Sequence, residues 1–273
     1  MRLNPAERAR IASRLTQRDY DILDALHTHR VLTTAHIGGL FFTTQTSRRA
    51  RTRLLDLHRL SLIERFRPHR RNGSAPWHWV LAPAGAHILA QARNISIDDL
   101  GYRHDHVLSL AHSSRLSHTT GVLDCYVAAL TIARITPHAA LTTWWDERRC
   151  AVEWGEHTRP DAYARWHHND TTIEAFLEYD TGTETLDRVS AKMTGYANLA
   201  AHSGLITPVL IVTKSDARES HLAARLRPVL TSDVPVRLTT HAQFTSTGPL
   251  GYIWRLASPS HDGRHRLLDL AHL

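Results

Sequence analysis

Cysteine is nearly absent from this chain: Cys125 and Cys150 are the two it has, and they do not form a metal-binding spacing. A disulfide framework and a cysteine-based zinc finger are thereby excluded, and a reducing, cytoplasmic setting is expected. No apolar run approaches the roughly 18 residues of a membrane span. The N-terminal stretch MRLNPAERARIASRL is charged and lacks the apolar centre of an export signal, so no membrane insertion is expected. A glycine-rich phosphate loop is missing, which leaves nucleotide hydrolysis without support. The 21 histidines include no His-Glu-x-x-His pattern, and His104, His106, His112 and His118 share a region without ligand spacing. Lysine is absent from the first 94 residues.

What the chain does have is length for two domains and 42% hydrophobic residues, enough to bury real cores. Charge is divided unevenly. Residues 1–94 carry 16 Arg and 6 acids, whereas the remainder carries 17 basic and 20 acidic residues. A cationic front half suits a polyanion, and the back half must do something else. The expected division is 1–98 and 99–273.

In the front half, residues 16–30 have Tyr20, Ile22, Leu23 and Leu26 near helical spacing, with Thr16 as N-cap. Residues 33–42 start a second helix and contain a Gly38-Gly39 break. A third helix is expected over 43–60. With Ala50, Leu54 and Leu57 on its buried side, Gln45, Arg48, Thr52 and Arg59 fall near the opposite side, with Arg49 on the edge. Two strands, Leu62–Phe66 and Trp77–Leu81, enclose a basic tip that includes Arg67, Arg70 and Arg71. Three helices and a basic hairpin describe a winged helix-turn-helix, whose partner would be double-stranded DNA: helix in the major groove, wing along phosphate. A solvated basic surface and a protein-binding winged helix are the alternatives.

In the back half, helices are expected from Arg103 to about Leu116 and over 121–135. Residues 141–154 read as a strand and its flanks, and a further strand carries Asp161, Tyr163 and Arg165 in alternation. Thr172–Asp180 places Phe176, Glu178 and Asp180 on one side, with Leu177 and Tyr179 on the other. If the turn centres on Asn169-Asp170, Asp161 falls opposite Glu178. Two acids so close repel each other unless a cation lies between them or one keeps its proton. A hard divalent ion, Mg²⁺ or Mn²⁺, is the simplest occupant, with Asp180 as third ligand or support. Ordinary polar faces of a half-exposed hairpin are the bland alternative. Helices over 186–203 and 216–230 and strands over 207–215 and 234–241 follow. Glu184 and Asp187 read as helix N-terminal acids. Tyr179 and Tyr196 are weak candidates for a covalent nucleophile, Tyr179 because alternation turns it from the acids.

The order of elements, with Pro160-Asp161 and Glu178-Tyr179-Asp180, resembles the restriction-endonuclease-like PD-(D/E)xK fold. The departure is Asp180, which stands where that signature has lysine; Lys192 on the next helix would have to replace it. A narrower likeness rests on FLEYDTGTE (176–184), Lys192 and Gly195-Tyr196-Ala197, which resemble the replication-relaxation family of actinobacterial plasmids and integrative elements. That resemblance implies an α+β protein joining a winged helix to a nuclease-like domain. It also implies DNA nicking or relaxation at an origin, with catalytic roles for Asp161, Glu178, Asp180 and Lys192. Replication or conjugation proteins would be its further partners. The alternative is a non-catalytic winged-helix initiator or regulator with a degenerate nuclease-like domain.

Overall fold

A computed structural model describes residues 4–42, 47–69, 73–204, 206–257 and 263–270. Their architecture is mixed α+β, with eleven α-helices and two sheets among the described residues. The chain divides into two compact units, 1–120 and 121–273.

The first unit holds α1 (Pro5–Ala12), α2 (Gln17–His29), α3 (Thr34–Phe41), α4 (Ser47–Arg59), α5 (Pro83–Ala92) and α6 (His104–Ser109). Its sheet joins β1 (Leu32–Thr33), β3 (His78–Leu81) and β2 (Ile63–Phe66) in that order, all antiparallel. The core is set by helical periodicity: Ile22, Leu23 and Leu26 of α2, Ile37 of α3, and Ala50, Leu54 and Leu57 of α4 are all buried. Asp19 in α2 is buried too, and Arg53 of α4 clasps both its oxygens at 2.6 and 2.5 Å. Burial opposes the Asp19 charge, but the Arg53 and Thr16 hydrogen bonds outweigh it and hold the carboxyl below its ordinary value. The Gly38-Gly39 pair does not break α3. Thr33 caps the helix by accepting the His36 N–H, and Ile37 and Leu40 bury its inner side.

The second unit is built on a six-stranded mixed sheet. Its strands are β4 (Ala139–Asp146), β5 (Ala162–His168), β6 (Thr171–Asp180), β7 (Val209–Thr213), β8 (Val236–Thr240) and β9 (Arg255–Leu256), adjacent in that order. Strands β4 to β6 are antiparallel, β6 to β8 parallel, and β9 returns antiparallel. Helices α7 (Leu116–Ile135) and α11 (His241–Thr247) supply Cys125, Ala129 and Phe244 to a core on one face, against Ala162, Trp166, Leu177 and Leu210. On the other face, α8 (Glu147–Trp154), α9 (Leu186–Ser203) and α10 (Asp216–Leu226) supply Cys150, Met193, Tyr196 and Leu222 against Tyr163, Phe176 and Ile211. All five residues of β7 are buried, as a parallel strand covered on both faces requires.

The elements depart from the sequence reading in places: the helix expected from Arg103 to about Leu116 is α6 followed by a single 3-10 turn at Leu110–His112, and the helix expected over 121–135 starts already at Leu116. Residues 147–154 form a helix rather than a strand flank, because the Asp146 carboxylate accepts the Arg149 N–H and starts a turn. Residues 241–247 form α11 behind a Thr240 cap. The register of the β5–β6 hairpin is the one counted from Asn169-Asp170: His168 pairs with Thr171, and Ala162 with Leu177. Asn169 has φ of 50°, the left-handed value that a two-residue hairpin turn needs and asparagine tolerates.

Candidate functional site

The hairpin register decides what the acids can do. Phe176, Glu178 and Asp180 share the face covered by α8, α9 and α10, whereas Leu177 and Tyr179 face α7 and α11. The β5–β6 pairing is complete as far as Ala162 and Leu177, so the next step brings Asp161 beside Glu178. Asp161 closes the ladder with its side chain: Oδ2 accepts the Tyr179 N–H at 2.8 Å. Asp161, Glu178 and Asp180 are all buried.

Glu178 is the centre of the cluster. Its Oε2 accepts from Lys192 Nζ at 3.0 Å, and its Oε1 accepts from the Tyr196 hydroxyl at 2.6 Å. Both donors lie on α9, four residues apart, so one helical face delivers them together. Gly195 allows the approach: a Cβ there would stand 2.6 Å from the His157 carbonyl oxygen. Burial pushes the Glu178 carboxyl up to about 7, the Asp161 charge adds to the shift, and Lys192 and Tyr196 oppose it. Burial pulls the Lys192 ammonium down, but the charges of Glu178, Asp161 and Glu184 outweigh it and hold it above its ordinary value. Tyr196 is pushed well up by burial and then by the Glu178 charge, which makes its hydroxyl a firm donor.

Asp180 belongs to a different contact. Arg218, in the first turn of α10, donates to Asp180 Oδ2 at 2.6 Å and Oδ1 at 3.2 Å, and to the Glu184 carbonyl at 2.7 Å. The Gly182 N–H also donates to Asp180 Oδ1 at 2.8 Å. Glu184 itself lies 3.5 Å from Lys192 Nζ. Asp187, in the first turn of α9, pairs with Arg225 at 2.5 Å. Thus Asp161, Glu178 and Lys192 come together, whereas Asp180 is held by Arg218. Among the described residues no group of three or more His, Cys, Asp or Glu side chains is arranged to hold a metal. Sequence reasoning missed Arg218 and the hydrogen-bonding role of Tyr196. Four-residue spacing from Lys192 was the available signal for Tyr196; nothing local marked Arg218, which lies 38 residues beyond Asp180.

On the opposite face, the Tyr179 hydroxyl lies 3.0 Å from His241 Nδ1, and His241 Nε2 is 3.7 Å from Asp124. Burial raises the Tyr179 phenol above its ordinary value.

In the first unit, Arg48, Arg49, Thr52 and Arg59 are exposed on α4, opposite Ala50, Leu54 and Leu57. Arg59 is paired with Asp56 at 3.0 Å. Arg67 is exposed beyond the end of β2 and donates to Ser74 Oγ at 2.9 Å. Gln45, Arg70 and Arg71 lie outside the described residues.

These features define a two-unit α+β protein: a unit with an exposed cationic helix, then a mixed-sheet unit with a buried carboxylate–lysine cluster beside its hairpin. The chain belongs to the replication-relaxation family, whose model matches residues 23–210, well over half of the chain. The matched region contains Asp161, Glu178, Asp180, Lys192 and Tyr196 and ends before Arg218. Membership points to a role in plasmid or mobile-element replication. No curated protein and no solved structure gives a significant match. No helix among the described residues is long and apolar enough to cross a membrane.

Proposed function

We propose that the protein binds double-stranded DNA through a winged helix in its first unit and nicks or relaxes it, at a plasmid or element origin, with a PD-(D/E)xK-type site in its second. The observation that carries this reading is the convergence of Asp161, Glu178 and Lys192, residues far apart in sequence, on one face of the sheet. Asp161 and Glu178 offer oxygen donors, and their like charges oppose each other at close range. That chemistry fits Mg²⁺ or Mn²⁺, which is commonly held by one or two carboxylates with water and phosphate completing the shell. Bound there, the ion would polarise the scissile phosphate and lower the pKa of a bound water.

The chain's own residues do the rest. Lys192 stays charged and is placed to neutralise the phosphate as negative charge builds on it. Tyr196 fixes the orientation of Glu178 through its hydroxyl. In this reading Asp180 is a brace rather than a ligand: with Arg218 it fixes the turn from β6 to α9, which carries Glu184 beside Lys192. In the first unit, the exposed side of α4 would enter the major groove.

A second reading has its own support. Both Glu178 oxygens already accept hydrogen bonds, and among the described residues no third His, Cys, Asp or Glu joins the two acids, which suits a DNA-binding replication protein with a degenerate site. Supercoiled plasmid carrying the cognate origin, incubated with protein and Mn²⁺, separates the two. Open circles that vanish with Asp161→Ala and Glu178→Ala support the nuclease. Salt-sensitive binding without nicking supports the second reading.

A further inference from the structure

The β2–β3 hairpin of the first unit carries an arrangement that the cationic face of α4 does not include. Arg65 pairs with Trp79 across the hairpin and Phe66 with His78, so the next step sets Arg67 opposite Trp77. Alternation then places Arg65, Arg67, Trp77 and Trp79 on one face. The two guanidinium carbons each lie 4.1 Å from the Trp77 ring centroid, and Arg65 also lies 5.6 Å from Trp79. Trp79 is buried and tied to Thr34 through its indole N–H at 2.8 Å. The row therefore runs from an anchored indole outward to a half-buried one bearing two cations.

Two features identify what this row suits. The guanidinium groups share one ring, so they stand no more than about 8 Å apart, and no carboxylate among the described residues pairs with either. The nearest acid in sequence, Glu64, is taken by His104 at 3.1 Å. Two uncompensated cations held this close are relieved by a polyanion. The indole, in turn, is engaged by arginines. An aromatic platform for single-stranded nucleic acid must offer its ring to bases, and this one is already in use.

We propose that the Arg65–Trp77–Arg67 stack is a ledge for the phosphate backbone of duplex DNA, with Trp77 as the positioning residue that holds both guanidinium groups. The proposal rests on the reading of the first unit as a DNA-binding module and adds two residues, Arg65 and Trp77, to it. The stack reads no sequence; it adds phosphate contacts and hence salt dependence.

The test uses the full chain and a fluorescein-labelled duplex of arbitrary sequence, with the same strand alone as comparison. Anisotropy gives the affinity across a salt series. With Trp77→Ala, the slope of log affinity against log salt becomes shallower by about 2, one unit for each phosphate no longer neutralised, and duplex affinity falls roughly tenfold. Trp77→Phe, which keeps a π face, recovers a good part of the slope. Trp77→Ala added to Arg65→Ala/Arg67→Ala has little further effect, since Trp77 acts through them. Thermal melts of all variants identify any loss of fold, and Trp77→Phe carries the test if the alanine variant does not fold. A Trp77→Ala protein of native stability with an unchanged slope overturns the proposal. So does selective loss of single-strand binding, which would make Trp77 a base-stacking platform. If Arg48→Ala/Arg49→Ala weakens duplex binding while the hairpin variants do not, the ledge fails and the DNA-binding reading stands. If the wild-type protein does not bind duplex, both fall.

Discussion

Replacing Glu178 by glutamine removes a charge that its surroundings resist and keeps an oxygen for the Tyr196 hydroxyl. In the folded protein the Glu178 carboxyl titrates near 7, against an ordinary value of 4.5. The folded state therefore keeps this proton where the unfolded chain has lost it. The linked stability is fully present below about 4.5, declines as pH rises towards 7, and is gone above that. The shift, with the Lys192 ammonium and the Tyr196 hydroxyl already acting against it, corresponds to about 3 kcal/mol. The Glu178 side chain is 5% exposed, so solvent screening reduces the figure little. Urea unfolding at pH 5 and pH 8, followed for the second unit by near-ultraviolet circular dichroism, measures the difference between wild type and Glu178→Gln. The variant should gain up to about 3 kcal/mol relative to wild type on going from pH 5 to pH 8. A difference that stays constant with pH, or moves in wild type's favour as pH rises, would refute the reasoning about burial.

Three further outcomes follow from the same geometry. Mn²⁺ affinity, measured by calorimetry, should rise by up to about tenfold per pH unit towards 7 and level off above it, because the ion must displace the Glu178 proton. Arg218→Ala strands the buried Asp180 carboxylate and should cost about 3–5 kcal/mol in urea unfolding, with Arg218→Lys recovering part of the loss because a lysine cannot reproduce the two-pronged contact. Gly195→Ala puts a methyl group 2.6 Å from the His157 carbonyl and should destabilise by roughly 1–3 kcal/mol in a thermal melt, since backbone must move to admit it.

Local chemistry made much of this legible. The turn at Asn169-Asp170 fixed the hairpin register, and register with period-two alternation placed Asp161 and Glu178 on one side and Tyr179 on the other. Apolar spacing likewise identified the buried side of α4, where Ala50, Leu54 and Leu57 are fully enclosed. What escaped was set by tertiary contact. The direction of the Asp180 carboxylate depends on Arg218, a helix and a strand further along the chain. Its parity with Glu178 could not reveal that it serves another partner. Residues 147–154 carried a helix signal in Asp146, but the tryptophans before it favour strand, and β4 and α8 divide the segment between them. The continuity of α3 through Gly38-Gly39 reflects its Thr33 cap and the burial of Ile37 and Leu40, which override the poor helix propensity of glycine.

Anomalous scattering from crystals soaked in Mn²⁺ measures whether Asp161 and Glu178 share an ion. One strong peak touching the carboxylates of both Asp161 and Glu178, absent from crystals of Glu178→Gln, is the expected outcome. A map with no peak there, and with Lys192 and Tyr196 still bonded to Glu178 at saturating Mn²⁺, would contradict it.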